Sequence, residues 1–169
     1  MKKIFFLLVT VAVAMGCKCK KTTVELAEKN TETTMNNCPA DATCTSEVLE
    51  NKMLSIVMDI PTSKPYYNIE SNEGTTVYRF KMSENVDQQY VDGGYHEEIV
   101  FELPSDFKTG VLTGKELENT KALFGVFCYC KGKAGYYSIT KGTITKTNES
   151  ITIEIPEIVE GQKVFKWIF

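Results

Sequence analysis

Four cysteines in the body of the chain hold most of its chemical options: Cys38 and Cys44 early, Cys128 and Cys130 late. Thiols can pair as disulfides, hold a soft metal, or carry electrons, and spacing helps to decide among these. Cys128 and Cys130 stand one residue apart in LFGVFCYC (123–130), a run of strand type, so both side chains leave the same face. Two residues of extended strand span about 6.6 Å, close to the upper reach of a relaxed disulfide at about 6.8 Å. A bond between these two needs a bulge, whereas pairing each with a cysteine of the Cys38–Cys44 segment is sterically easier. That arrangement would pin the start of the domain to a late strand and restrict the unfolded chain by roughly 4 kcal/mol per bridge. Three connectivities are open to four cysteines, and two structural disulfides are the expectation.

The alternative is a thiolate site for copper or zinc, or a redox couple, built from Cys38, Cys44, Cys128 and Cys130. The C-x-x-C spacing of structural zinc sites is absent, and five residues separate Cys38 from Cys44. Redox couples favour C-x-x-C at a helix start, where the thiolate is stabilised, and a strand is expected here. The single histidine, His96, heads His96-Glu97-Glu98, and Val100 stands where a zinc-protease motif needs its second histidine. Strand alternation sets His96, Glu98 and Glu102 on an outer, solvated face. Glu97 falls on the inward face between Tyr95 and Ile99, which places it either at the strand's exposed mouth, the favoured reading, or at a polar position in a cleft. Gly110–Lys115 is too short for a phosphate-cradling loop. No catalytic constellation emerges, so neither enzymatic activity nor a cofactor is expected.

A fifth cysteine has a different setting. Lys2 and Lys3 precede an apolar run, Ile4–Val13, which ends in Ala14-Met15-Gly16-Cys17. The run is shorter than the roughly 20 residues of a spanning helix and reads as a secretory signal, residues 1–16. A cysteine directly after a small residue resembles the bacterial lipoprotein box, which implies cleavage before Cys17 and acylation of it. Several acyl chains would hold the protein where one gives only marginal binding. Lys18 stands where, in some bacteria, an Asp retains lipoproteins at the inner membrane, so the outer membrane is the expected destination.

With Cys17 lipidated, Cys19 is the odd thiol left over, and an exported protein sits where disulfides persist. Losing Lys2 and Lys3 takes the formal charge from −3 to −5. No basic face offsets it, which argues against a nucleic-acid partner. The partners expected are the membrane, through the N-terminal lipid, and an unidentified protein or small molecule.

These residues need a scaffold. Residues 17–37, rich in Lys, Thr, Glu and Asn, have too little apolar content to fold and make a tether of roughly 25 Å. From Cys38 to Phe169 the pattern is period-2 alternation between Gly, Asn and Pro punctuation, in runs 53–60, 75–82, 95–103, 123–130, 135–140, 142–147, 150–155 and 163–168. In 53–60, Leu54, Ile56, Met58 and Ile60 share a face. Only Lys115–Leu123 has helical character. The fold expected is all-β: one antiparallel sandwich or small barrel of seven to nine strands. The terminal VFKWIF suggests a last strand packing Phe165 and Trp167 into the core. A membrane barrel would need strands of about 9–11 residues with a lipid-facing band, and most runs here are shorter.

Together the Cys17 box, the polar tether and a β domain containing GGYHEEIVFELP and LFGVFCYCKGKAGYY are similar to small lipoproteins of Bacteroidota, of the flavobacterial type. The resemblance implies a location in the cell envelope and no particular activity. Within such a binding or structural module, Tyr66, Tyr67, Tyr90, Tyr95, Tyr136 and Tyr137 are the candidate contact residues.

Overall fold

The computed structural model describes residues 38–86 and 94–168. The expected signal (1–16), Cys17, Cys19, the tether (17–37) and Tyr90 lie outside the described residues. Nine strands are described: β1 (Ala42–Asp59), β2 (Lys64–Glu84), β3 (His96–Pro104), β4 (Gly110–Thr113), β5 (Leu123–Phe127), β6 (Gly135–Ser138), β7 (Thr143–Lys146), β8 (Ile151–Glu154) and β9 (Lys166–Ile168). The helical character of 115–123 comes to a single turn, α1 (Lys115–Glu118).

The strands form two antiparallel sheets, ordered β1-β2-β3-β5-β6 and β4-β7-β8-β9. They face each other as a sandwich, and the described strands close no barrel. Alternation supplies the core between them. Tyr78, Phe80 and Met82 of β2 and Ile99, Phe101 and Leu103 of β3 meet Ile144, Ile153 and Trp167 of the second sheet. Phe80 lies 5.0 Å from Trp167, ring centre to ring centre. Each fully buried side chain of this size contributes about 1.5–3 kcal/mol. The expectation for the last strand holds for Trp167 only. Phe165 precedes β9 at a bend and is 44% exposed, and Val164 takes the inward place.

The long hairpin of β1 and β2 gives the molecule a third, partial layer. Its register jumps between Glu50 and Lys52, where the pairing passes from Thr76 to Ser71. Asn51 adopts a positive φ of 56°, a conformation Asn tolerates. Opposite it the Asn72 side chain accepts from the Gly74 amide at 3.3 Å, and the Thr75 hydroxyl donates to Lys52 O at 2.6 Å. The ribbon bends at this corner, and its outer half folds back across the first sheet. There Leu54, Tyr67 and Ile69 cover Val77, Val100, Leu123 and Tyr136.

The fold-back decides where β3 stands. All residues from Glu97 to Leu103 are buried, because β3 now has a covered face on each side. The outer face that alternation assigns to His96, Glu98 and Glu102 is therefore not a solvated one: Glu98 and Glu102 are buried beneath the arm.

Candidate functional site

Burying carboxylates is costly unless donors converge on them, and the chain supplies those donors from both faces. Glu98 Oε1 accepts from the Tyr67 hydroxyl of the arm at 2.5 Å and from the Tyr136 hydroxyl of β6 at 2.8 Å. Its other oxygen lies 3.6 Å from Lys81 Nζ. Burial, with the Glu98 charge next, pushes the Tyr67 hydroxyl up to about 12 and raises Tyr136 further, so both stay protonated donors at neutral pH. Arg79 joins the cluster through Tyr67 and an ion pair with Glu47. Burial pulls its pKa down, but these partners more than offset that and raise it. Higher up the strand, Glu102 accepts the Leu54 amide at 2.5 Å and pairs with Lys121 at 2.8 Å. Lys121 also donates to Leu54 O at 2.8 Å, which fixes the arm by its backbone.

Glu97 does the same work on the opposite face. It is only 1% exposed, which corrects its expected place at an open strand mouth. Its carboxylate accepts the Lys163 amide at 2.6 Å, the Val164 amide at 2.7 Å and the Tyr95 hydroxyl. The segment before β9 is thereby stitched to β3. Burial raises the Glu97 pKa, while the three donors pull it back down. His96 stacks on Phe127 at 4.6 Å, and burial lowers its pKa against the opposing pull of Glu98. A ring packed this way is a structural part of the aromatic row Phe127, Tyr136 and Tyr67, whose edge-on contacts measure 5.0 and 5.3 Å.

The cysteines correct a second expectation. Cys38 bonds to Cys44 and Cys128 to Cys130, with Cα separations of 5.7 and 5.1 Å; the easier cross-pairing does not occur. The chain contracts from its extended span at Cys128–Cys130, and β5 accordingly ends at Phe127 instead of running to 130. Neither bond joins distant parts of the fold. With all four cysteines in disulfides, no thiolate remains among them for copper or zinc. Among the described residues no group of three His, Cys, Asp or Glu side chains converges on a metal-sized site. Tyr129, between its two bonded neighbours, is 97% exposed beside an open hollow of about 520 Å³ lined by Cys128, Tyr129, Cys130 and Lys131.

The same corner of the domain receives the tip of the arm. Lys64 crosses the edge of β6 at Gly135, where an added Cβ would come within 2.7 Å of the lysine stem. Its amine lies 3.1, 3.3 and 2.6 Å from the carbonyls of Gly132, Lys133 and Ala134, and 2.7 Å from the Tyr137 hydroxyl. A lysine over an open strand edge also discourages pairing with another chain. Beyond this anchor the apolar face of β1 runs out into solvent. Leu54 is 1% exposed, Ile56 37%, Met58 56% and Ile60 91%. Beneath Ile56 runs a groove of about 290 Å³, with Leu123, Ile139 and Lys121 in its walls.

Compared with protein-family models, with curated proteins and with solved structures, the chain matches none. Its candidate sites therefore rest on geometry. Of the tyrosines picked out by sequence, Tyr66 is exposed, while Tyr67, Tyr95, Tyr136 and Tyr137 are half-buried and engaged with the chain's own groups. Tyr129, the most exposed of the aromatics named here, was not among them. Its position between two cysteines was the available signal, since a short disulfide turn must lift its middle side chain out of the strand face.

Proposed function

We propose that this chain is a cell-envelope lipoprotein, anchored at the outer membrane through Cys17, whose β domain is a non-catalytic binding module. Its contact surface is the tip of the arm, and its occupant is a segment of another envelope polypeptide. The observation that carries this reading is the face of β1 that is core at Leu54 and exposed by Met58, continued by Ile60 in the turn that follows. An apolar face extended past the sheet it covers, with Met58 on it, has the make-up of a protein contact. The non-catalytic part is supported by the polar interior: Glu97, Glu98 and Glu102 are all engaged by the chain's own donors.

Two experiments test the reading separately. Cys17→Ser should move the protein from the membrane to the soluble fraction, and retention in the membrane would refute the anchor. A photo-crosslinking residue at position 60 should give one discrete polypeptide adduct in intact cells. The same residue at Val111, an exposed position on β4, should give none. Adducts with lipid alone, or equal adducts from both positions, would refute the arm tip as a protein contact.

A further inference from the structure

The two disulfides differ in what they can do. Cys38–Cys44 spans six positions of sequence, and Cys44 sits buried in the β1–β2 ladder opposite Met82. Cys128–Cys130 spans only two positions and belongs to no strand. The restriction a disulfide places on the unfolded chain grows with the logarithm of the loop it closes, so this bond restricts it least. Nothing distant is held by it either: the β5–β6 connection is already fixed by Lys64 and by the Tyr137 hydroxyl on Lys133 O at 2.6 Å. What distinguishes the bond is the open hollow beside it: Cys128 and Cys130, half-buried at the edge of the core, line that hollow together with Lys131 and the exposed Tyr129.

We propose that Cys128–Cys130 is a thiol–disulfide exchange site that accepts two electrons from a dithiol polypeptide, with Tyr129 as the contact for the incoming chain. A thiolate of the dithiol attacks Cys128 Sγ. The S–S bond breaks and its electron pair leaves on Cys130 Sγ, where the positive charge of Lys131 favours the thiolate. The second thiolate of the dithiol then attacks its own partner sulfur in the mixed disulfide and releases Cys128 as a thiolate. The dithiol ends as a disulfide, and its two protons pass to Cys128 and Cys130. Exchange is independent of the lipid anchor and of the arm tip.

The test uses the mature full-length protein and two probes, dithiothreitol and a synthetic peptide with two cysteines. Acid quenching, alkylation and mass spectrometry read each cysteine. Cys128 and Cys130 should become alkylated at a dithiothreitol concentration at least tenfold below that for Cys38 and Cys44, with near-UV circular dichroism unchanged. One peptide disulfide should form per protein reduced, and none with the Cys128→Ser/Cys130→Ser double variant. Tyr129→Ser should slow exchange with the peptide severalfold and leave the dithiothreitol reaction unchanged. Reduction of both pairs together, or of Cys128–Cys130 only in denaturant, would overturn the exchange site. Equal peptide rates for Tyr129→Ser and wild type would overturn the contact.

Discussion

Replacing Glu97 by Gln removes a charge from the interior while keeping its volume, which makes it a sharp probe of how the sandwich is closed. The carboxylate accepts two backbone amides, Lys163 at 2.6 Å and Val164 at 2.7 Å, and the Tyr95 hydroxyl. A glutamine offers one oxygen, so it can keep one of the amides, and its NH₂ then faces the other donor. One charge-assisted bond is lost, worth about 1.5–3 kcal/mol, and one buried N–H is left unpaired at about 1–3 kcal/mol. Against this stands the relief of an ionised group held in a site where burial raises its pKa. The net expectation is a loss of roughly 2–4 kcal/mol at pH 7, read by urea denaturation.

The pH profile sharpens the test. Because the folded pKa of Glu97 lies above its ordinary value of 4.5, the folded state binds this proton more tightly than the unfolded chain does. The stability this provides is fully present below the unfolded value and is lost as pH rises through the raised folded value. Glu97→Gln should lack that slope, so its deficit should shrink as the pH climbs through the window above 4.5. A variant within about 0.5 kcal/mol of wild type, the ordinary range of a surface substitution, would refute the staple.

Other substitutions probe the arm and the bridges. Gly125→Ala would bring a Cβ to 2.6 Å from the Tyr136 ring and 2.7 Å from Phe127, and should cost about 1–3 kcal/mol in thermal or urea unfolding. Tyr67→Phe removes the 2.5 Å bond to Glu98 and should lower stability by about 1–2 kcal/mol. It should also speed proteolysis within the arm relative to the rest of the chain. Cys38→Ser with Cys44→Ser should cost only about 2 kcal/mol by chain entropy, well below the roughly 4 kcal/mol expected of a bridge between distant segments. A loss of the larger size in chemical denaturation would mean that the bond does more than close a local loop.

The strand positions 53–60, 75–82, 95–103 and 142–155 are visible in sequence because alternation is a local property and Gly, Asn and Pro mark its ends. The first halves of β1 and β2 are not. Residues 42–52 and 64–74 are largely polar and the second stretch contains Pro65; the first buries only Cys44 and Ser46, and Tyr67 and Ile69 of the second pack only on the layer they cover. The two disulfides are legible in the cysteine count, but their pairing is not: an extended strand puts Cys128 and Cys130 near the limit of reach, and the chain contracts there.

What the amino-acid order determines alone is the all-β class, the inward phase of strands such as β2 and β3, and six cysteines, of which Cys17 directly follows a small residue at the end of an apolar run. Tertiary structure decides the rest. Alternation can say that Glu98 and Glu102 point away from the main core, but whether water or protein lies on that side depends on a corner at Asn51 some fifty residues earlier. The bend brings Tyr67 and the Leu54 amide onto those carboxylates and turns a face that reads as solvated into a second core. Burial is a property of what covers a face, and a covering layer supplied from far along the chain leaves no local trace in the strand beneath it.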